Sequence, residues 1–284
     1  MGFLDESYAT LLSPLRRPTP KEKEVGRSHG NGRDDGPRDD RYFDIADFME
    51  RGLARELVAD FMEPLPDSSS LWKFCVQRSD DRQEYRLYCD GGEFLMYARA
   101  SRDNRRIDIF LYDPKDKEST LFDPLRPAFT LTTNSTKTEW RLVQERCDNC
   151  RHSPEQTACC SCCRGRASEI LRVRHSNLEV GDGMNHCMDV FVPVDGPCGQ
   201  SQEHRFITKM PVWNEKVECL VLDFKGRKIL ASAKNFQLAA EDDESERVVC
   251  QYGKLSTNSF GLDFRYPLTV IQAFGISLST LFWA

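Results

Sequence analysis

The sequence predicts a mainly β protein, an antiparallel sandwich or barrel whose strands surround the chain's own C-terminal helix. Three observations predict it. Short strand-like runs recur from Leu71 onward, turn residues punctuate them, and the last segment reads as a helix that is apolar on every side.

The strand-like runs are Glu84–Tyr88, Glu93–Ala98, Ile107–Tyr112, Ala128–Thr133, Glu139–Val143, Met188–Val192, Lys216–Phe224, Lys228–Ala233, Val248–Tyr252 and Phe260–Phe264. Between them stand Asp90-Gly91-Gly92, Asp113-Pro114, Gly181-Asp182-Gly183 and Lys225-Gly226, residues that favour tight reversals. Residues 267–283, PLTVIQAFGISLSTLFW, break the pattern. Pro267 suits a first helical position. Leu268, Val270, Ile271, Ala273, Phe274, Ile276, Leu278, Leu281 and Phe282 point in all directions around a helix. Such a helix is buried in protein or lipid. At about 25 Å it is marginal for a bilayer. Gln272, Ser277, Ser279 and Thr280 dilute it further, so the strands are the expected surroundings.

The N-terminal part differs. Residues 1–43 are expected to form a disordered tail, because 14–42 mix charge with Pro and Gly and offer little to bury. Residues 44–67 are expected to hold an amphipathic helix and a linker. Ile45, Phe48, Met49, Leu53, Leu57, Phe61 and Met62 recur at spacings of three and four over 44–62, with Asp44 as N-cap and Pro64 as the stop. This segment packs on the domain or docks a protein partner. The start, Met1-Gly2-Phe3-Leu4-Asp5-Glu6, has no secretory pattern, and Glu6 stands where a myristoylation motif wants Ser or Thr.

Of the 284 residues, 39% are hydrophobic and 30% charged, ordinary for a soluble chain with a core. The net charge of −6 argues against nucleic acid as a partner, so any anion site must be a local basic patch. Twelve cysteines without an export signal point to free thiols in a reduced compartment, hence a cytoplasmic location.

One run is more specific than any of these patterns. Phe224-Lys225-Gly226-Arg227-Lys228-Ile229-Leu230-Ala231-Ser232-Ala233-Lys234-Asn235-Phe236-Gln237 resembles a signature of the tubby-like family. Met210-Pro211-Val212-Trp213-Asn214 resembles a family segment upstream of that signature. Gln251-Tyr252-Gly253-Lys254, Asp263-Phe264-Arg265-Tyr266-Pro267-Leu268 and Gln272-Ala273-Phe274-Gly275-Ile276-Ser277-Leu278-Ser279 resemble family segments downstream of it. The resemblance stays collinear but fades toward Tyr85-Arg86-Leu87-Tyr88. It implies a closed antiparallel β-barrel around the buried hydrophobic helix, spanning residues 68–284. It also implies a non-enzymatic, membrane-associated adaptor that binds phosphatidylinositol bisphosphate or a related anionic lipid. Peripheral plasma membrane is the implied location, with cilium or nucleus as further family settings and trafficking or signalling as the implied role.

The family's basic strand aligns with Tyr97–Arg106. Arg99 and Arg102 occupy positions usually basic in the family, and Arg105 and Arg106 extend the patch. Asn134 and Lys137 complete the implied set. Several cations on separate strands can surround a multiply charged phosphate, and guanidinium groups add forked hydrogen bonds. Two departures weaken the set: Thr132 replaces a family Arg, and Asp103 sits inside the patch. The chain also ends at Phe282-Trp283-Ala284, without the family's final Lys-x-Ala-Cys-Glu, and residues 1–67 do not resemble an F-box.

Residues 144–168 form a cysteine-rich insertion foreign to the family pattern. Cys147 and Cys150 make one Cys-x-x-Cys knuckle, and Cys159 with Cys162, or Cys160 with Cys163, makes another. Two knuckles can complete a tetrahedral zinc site. The Cys-Cys-Ser-Cys-Cys run equally resembles the acylated clusters of phospholipid scramblases, or it is a plain loop with free thiols. The alternatives to the adaptor are therefore a scramblase-like acylated membrane protein and a zinc-binding interaction module or transcription regulator. Enzyme readings are poor: there is no Gly-x-Ser-x-Gly, phosphate-binding loop or His-Glu-x-x-His, and the five histidines are scattered. Glu241-Asp242-Asp243-Glu244 reads as a solvated turn.

Overall fold

The computed structural model describes residues 61–111, 113, 127–145, 168–180, 183–195, 201–215, 219–225 and 227–283. The predicted tail, nearly all of the predicted N-terminal helix and the cysteines of the insertion lie outside the described residues. Phe61 and Met62 are helical, and Phe61 is buried in the core.

Twelve strands close a barrel. They are β1 (Trp72–Arg78), β2 (Glu84–Cys89), β3 (Phe94–Ala100), β4 (Arg106–Phe110), β5 (Phe129–Thr133), β6 (Glu139–Gln144), β7 (Ser168–Val180), β8 (Gly183–Asp195), β9 (Ser201–Thr208), β12 (Phe236–Ala240), β13 (Val248–Lys254) and β14 (Ser259–Phe264). A separate pair, β10 (Val212–Asn214) and β11 (Cys219–Val221), lies between β9 and β12 in sequence. Every barrel neighbour is antiparallel, and β1 pairs with β14 from Trp72↔Phe264 to Gln77↔Ser259. Closure leaves the barrel strands no open edge.

Period-two patterning sets the inside of the wall. Phe74 and Val76 of β1, Tyr85 and Leu87 of β2, and Leu142, Leu171 and Val190 further round are all buried in one cluster. Helix α1 (Val270–Ser279) belongs to the same cluster, and every one of its residues is buried. Each large apolar side chain so enclosed contributes about 1.5–3 kcal/mol.

The polar residues that dilute α1 are satisfied inside it. Gln272 Oε1 accepts from the Thr269 N–H at 3.0 Å, and its Nε2 donates to the Ile170 carbonyl at 3.0 Å. Ser277, Ser279 and Thr280 donate their hydroxyls to carbonyls three residues earlier, each at 2.7 Å. Gly275 lets the helix approach the wall, since a Cβ there would meet Leu142 Cδ2 at 2.9 Å.

Three expectations are corrected. Pro267 is not the first helical residue: Thr269 is the N-cap, with a reciprocal capping box to Gln272. The α-helix is therefore ten residues, followed by a 3₁₀ turn at Thr280–Phe282. Lys228–Ala233 is not a strand, but an irregular segment with a single bridge, Leu230↔Lys254. Its side chains lie on neighbouring strands instead of pairing in the ladder. Of the expected strand at Lys216–Phe224, Cys219–Val221 pairs with β10. Among the described residues, no helix is long and apolar enough to cross a membrane.

Candidate functional site

The helix enters the barrel at the end marked by the Pro64↔Thr269 bridge, here called the lower end. Its C-terminus emerges among the β1–β2, β3–β4, β5–β6, β7–β8 and β13–β14 connections, the upper end. The predicted site residues lie at that upper end, on two adjacent hairpins. The Thr133 N–H donates to the Arg105 carbonyl at 3.0 Å, and Arg106 stands opposite Thr132.

Asp103 shapes the first hairpin. Its carboxylate accepts from the Ser101 hydroxyl at 2.6 Å and the Arg105 N–H at 3.1 Å. These bonds, Ser101's first, hold its pKa below the ordinary value. Asn104 takes the left-handed backbone that the turn needs, with φ 55°. Asp103 thus organises the loop that presents Arg102 and Arg105, rather than merely diluting its charge.

Asn134 plays the same part in the second hairpin. Its Oδ1 accepts from the Thr138 N–H at 2.9 Å and the Glu139 N–H at 3.3 Å, and its Nδ2 donates to Thr138 Oγ1 at 3.0 Å. Lys137 occupies the left-handed position, φ 58°, and its ammonium lies 4.1 Å from the Phe282 ring centroid.

The arginines divide into two groups. Arg106 is paired with Asp108 at 2.7 Å. Arg141, opposite Thr132, is held by Glu139 at 2.7 Å and does not replace the missing family guanidinium. Further round, Arg172 pairs with Glu203, Arg174 with Glu139, and Arg205 with Asp189 and Glu241, all three around the Phe191 ring. By contrast, among the described residues no carboxylate lies within ion-pair distance of Arg99, Arg102 or Arg105, and all three are exposed. Arg99 stands between Glu84 on β2 and Asp108 on β4, with its guanidinium carbon 5.9 Å from the Phe110 ring centroid.

The signature run carries no part of this patch. It is a strap across the outside of β12–β14. Arg227 donates twice to Asp263, from Nε at 2.7 Å and from Nη2 at 2.5 Å. Asp263 also accepts from Gln251 Nε2 at 2.8 Å, and Gln237 Nε2 donates to Gln251 Oε1 at 3.0 Å and to the Asp223 carbonyl at 2.7 Å. The strap explains two strand glycines. A Cβ at Gly253 would meet Ile229 Cδ1 at 2.7 Å, and one at Gly261 would meet Arg227 Nη1 at 3.1 Å.

Lys234 ends the strap and closes the helix. Its ammonium donates to the Thr280 and Leu281 carbonyls at 3.0 Å each, and to the Trp283 carbonyl. Burial first, then Arg78 and Arg82, pull its pKa down to about 8. The three carbonyls at the helix C-terminus oppose that shift by favouring the charge. Beside it, Trp283 Nε1 donates to His175 Nδ1 at 3.0 Å, and His175 Nε2 lies 3.2 Å from Ser279 Oγ. Burial lowers His175 to about 4, so the ring is neutral and Nε2 carries the proton.

The strap network, the Lys234 cap and the His175–Trp283 pair were not anticipated as such. Isolated glycines within strand runs were the available signal for the strap. The zinc candidates Cys147, Cys150, Cys159 and Cys162 lie outside the described residues. Among the described residues, no group of three or more His, Cys, Asp or Glu is arranged to hold a metal.

A closed antiparallel barrel enclosing its own C-terminal helix, bound by a strap and a lysine cap, defines the class of domain. Known proteins resemble part of the chain. The Tub family matches residues 197–282. Tubby-like F-box protein 2 of Arabidopsis thaliana is 42% identical over 100 residues, covering 32% of this chain and 25% of that protein. Protein king tubby of Drosophila sechellia is 49% identical over 72 residues, covering 25% and 16%. The chain therefore aligns with a quarter or less of these two relatives' lengths. A solved structure of an Arabidopsis thaliana protein covers 78% of this chain and 94% of its own, at 13% identity and a TM-score of 0.39, too distant a likeness to bear on function. The likeness to the Tub family and to tubby-like proteins thus lies in the C-terminal part of the chain.

Proposed function

We propose that this tubby-like chain binds phosphatidylinositol bisphosphate, or a related anionic headgroup, on the paired β3–β4 and β5–β6 hairpins. In this reading it is a non-enzymatic adaptor at the cytoplasmic face of the plasma membrane, with a protein partner recruited by the N-terminal segment. Ciliary or nuclear trafficking roles belong to the same proposal.

One observation carries it: Arg99, Arg102 and Arg105 have no carboxylate partner among the described residues, on a wall whose other arginines are largely paired. Guanidinium groups left in water need not be drawn out of an ion pair, and they offer forked donors to phosphate oxygens. Lys137 adds a fourth cation from the neighbouring hairpin. Arg106 and Asn134 serve this site indirectly, since Asp108 holds the first and the hairpin turn engages the second. With Thr132 in place of Arg, the affinity is lower than a fully basic site would give.

Binding to phosphatidylcholine vesicles with and without phosphatidylinositol bisphosphate tests the reading. It requires binding only to the bisphosphate vesicles, weakening as salt rises. Equal binding to both vesicle types contradicts it.

A further inference from the structure

Among the described residues, the two ends of the barrel differ in charge and in apolar exposure. The β2–β3 and β12–β13 connections at the lower end carry Asp90, Glu93, Glu241, Asp242, Asp243, Glu244 and Glu246 against Arg247. The upper end carries Arg82, Arg102, Arg105, Lys137 and Lys254. Three carboxylates there, Asp80, Asp81 and Asp103, are engaged within the upper loops: Asp80 accepts from Asn258, Asp81 from Ser79 and Gln83, and Asp103 from Ser101 and Arg105.

Exposed apolar side chains collect at the same end. Among the described residues, the large exposed hydrophobics are Leu178, Met184, Val212, Leu230 and Tyr266. All but Tyr266 lie at the upper end. Leu230 bridges to Lys254 at the end of β13, and Val212 follows Met210, whose sulfur lies 3.9 Å from Cys187 of β8.

Leu178 and Met184 sit on a projecting ribbon. Beyond His175↔Met188, β7 and β8 continue to pair with each other through Ser176↔Cys187, Asn177↔His186, Leu178↔Asn185 and Glu179↔Met184. The neighbouring β6 stops its pairing at Glu139↔Arg174. Leu178 is therefore about 10 Å of strand past His175. It is 50% exposed and Met184 is 65% exposed. The ribbon is anchored at its base, where His186 stacks on Trp283 at 5.2 Å.

We propose that the upper end of the barrel faces an anionic lipid bilayer, and that the β7–β8 ribbon inserts Leu178 and Met184 into its interfacial layer. This rests on the headgroup reading above and adds an orientation and an anchor to it. Exposed apolar groups on the same end as cations that lack carboxylate partners among the described residues match the headgroup–acyl boundary, where phosphates and apolar chain ends meet. Glu179 keeps the ribbon shallow, because a carboxylate is costly in the hydrocarbon core. The acidic β2–β3 and β12–β13 connections then face away from the anionic surface, which favours this orientation over its reverse.

The test compares wild type with Leu178→Ser/Met184→Ser on two probes. One is phosphatidylcholine vesicles containing phosphatidylinositol bisphosphate, and the other is soluble inositol trisphosphate. The expected result is vesicle binding weakened about tenfold or more, with soluble-headgroup binding and melting temperature unchanged. Unchanged vesicle binding overturns the insertion. A Leu178→Trp variant gives a direct reading: its added emission must be quenched by vesicles with brominated acyl chains, and absence of that quenching overturns it too. An Arg99→Ala/Arg102→Ala variant that binds soluble headgroup like wild type sinks the headgroup site instead, so the two failures are distinguishable.

Discussion

Lys137 and Phe282 join the candidate anion site to the end of the enclosed helix: the ammonium lies over the ring, 4.1 Å from its centroid. Phe282 in turn stacks on buried Trp140 at 5.4 Å. The cation is thus held by the core, not only by its hairpin, and its placement depends on the last turn of the chain.

Replacing Phe282 by Leu should therefore weaken headgroup binding without abolishing it. A cation–π contact of this kind is worth about 0.5–1 kcal/mol, so the expected loss is about two- to fivefold. Isothermal titration with soluble headgroup measures it. A loss equal to that of Arg99→Ala/Arg102→Ala would mean that Phe282 supports the whole site.

His175 predicts an acid limit to stability. Burial holds the folded ring at about 4 against an ordinary 6.5, so on acidification the unfolded chain takes the proton first. Its contribution is complete above about pH 6.5 and is lost progressively as the pH falls toward 4, by about 3 kcal/mol at most. Protonation would also place an Nδ1–H against the Trp283 donor. Denaturant unfolding at a series of pH values should show a decline in wild type that His175→Gln flattens. Parallel curves for the two proteins would remove His175 as its source.

Asp263→Asn tests the strap. It leaves Arg227 without its charge partner and turns an amide donor toward the guanidinium or Gln251. Breaking a largely buried pair from one side costs about 3–5 kcal/mol. The melting temperature should fall clearly, and a double apolar replacement, Arg227→Met/Asp263→Leu, should recover part of it. A single change no worse than the double would show that the pair is not what fastens the strap.

Much of the fold was legible in the sequence, for physical reasons that can be named. Strands such as β5 and β14 carry compact apolar runs between clear turns, and a helix apolar on all sides admits few surroundings. Strand β7 was hidden because its outward positions, Arg172 and Arg174, are charged and its start adjoins the cysteine-rich stretch. Strand β12 was hidden inside a run whose earlier half is irregular chain. Lys228–Ala233 reads as a strand because Ile229 and Leu230 are apolar, yet Ile229 packs outside the barrel over Gly253.

The candidate site was legible as a composition of residues but not as a geometry. Sequence placed Arg99, Arg102, Arg105, Arg106, Asn134 and Lys137 in one set. Only the side-chain geometry separates Arg106, paired with Asp108 two residues along the same strand, from the guanidinium groups that lack a carboxylate among the described residues, and only the turn geometry shows Asn134 and Asp103 to be hairpin organisers. These contacts are local in sequence, but which of several nearby partners a side chain takes is set by its rotamer and by the turn, which composition does not encode.

The most direct measurement of the central claim is headgroup affinity in Arg99→Ala/Arg102→Ala beside an Arg141→Ala/Arg205→Ala control. Both pairs remove two exposed guanidinium groups, but only the first pair lacks carboxylate partners among the described residues. Isothermal titration with soluble inositol trisphosphate should show binding lost or reduced at least about tenfold in the first variant. The control should bind within about twofold of wild type. Equal affinity in the two variants would contradict the assignment of the anion site to the β3–β4 hairpin.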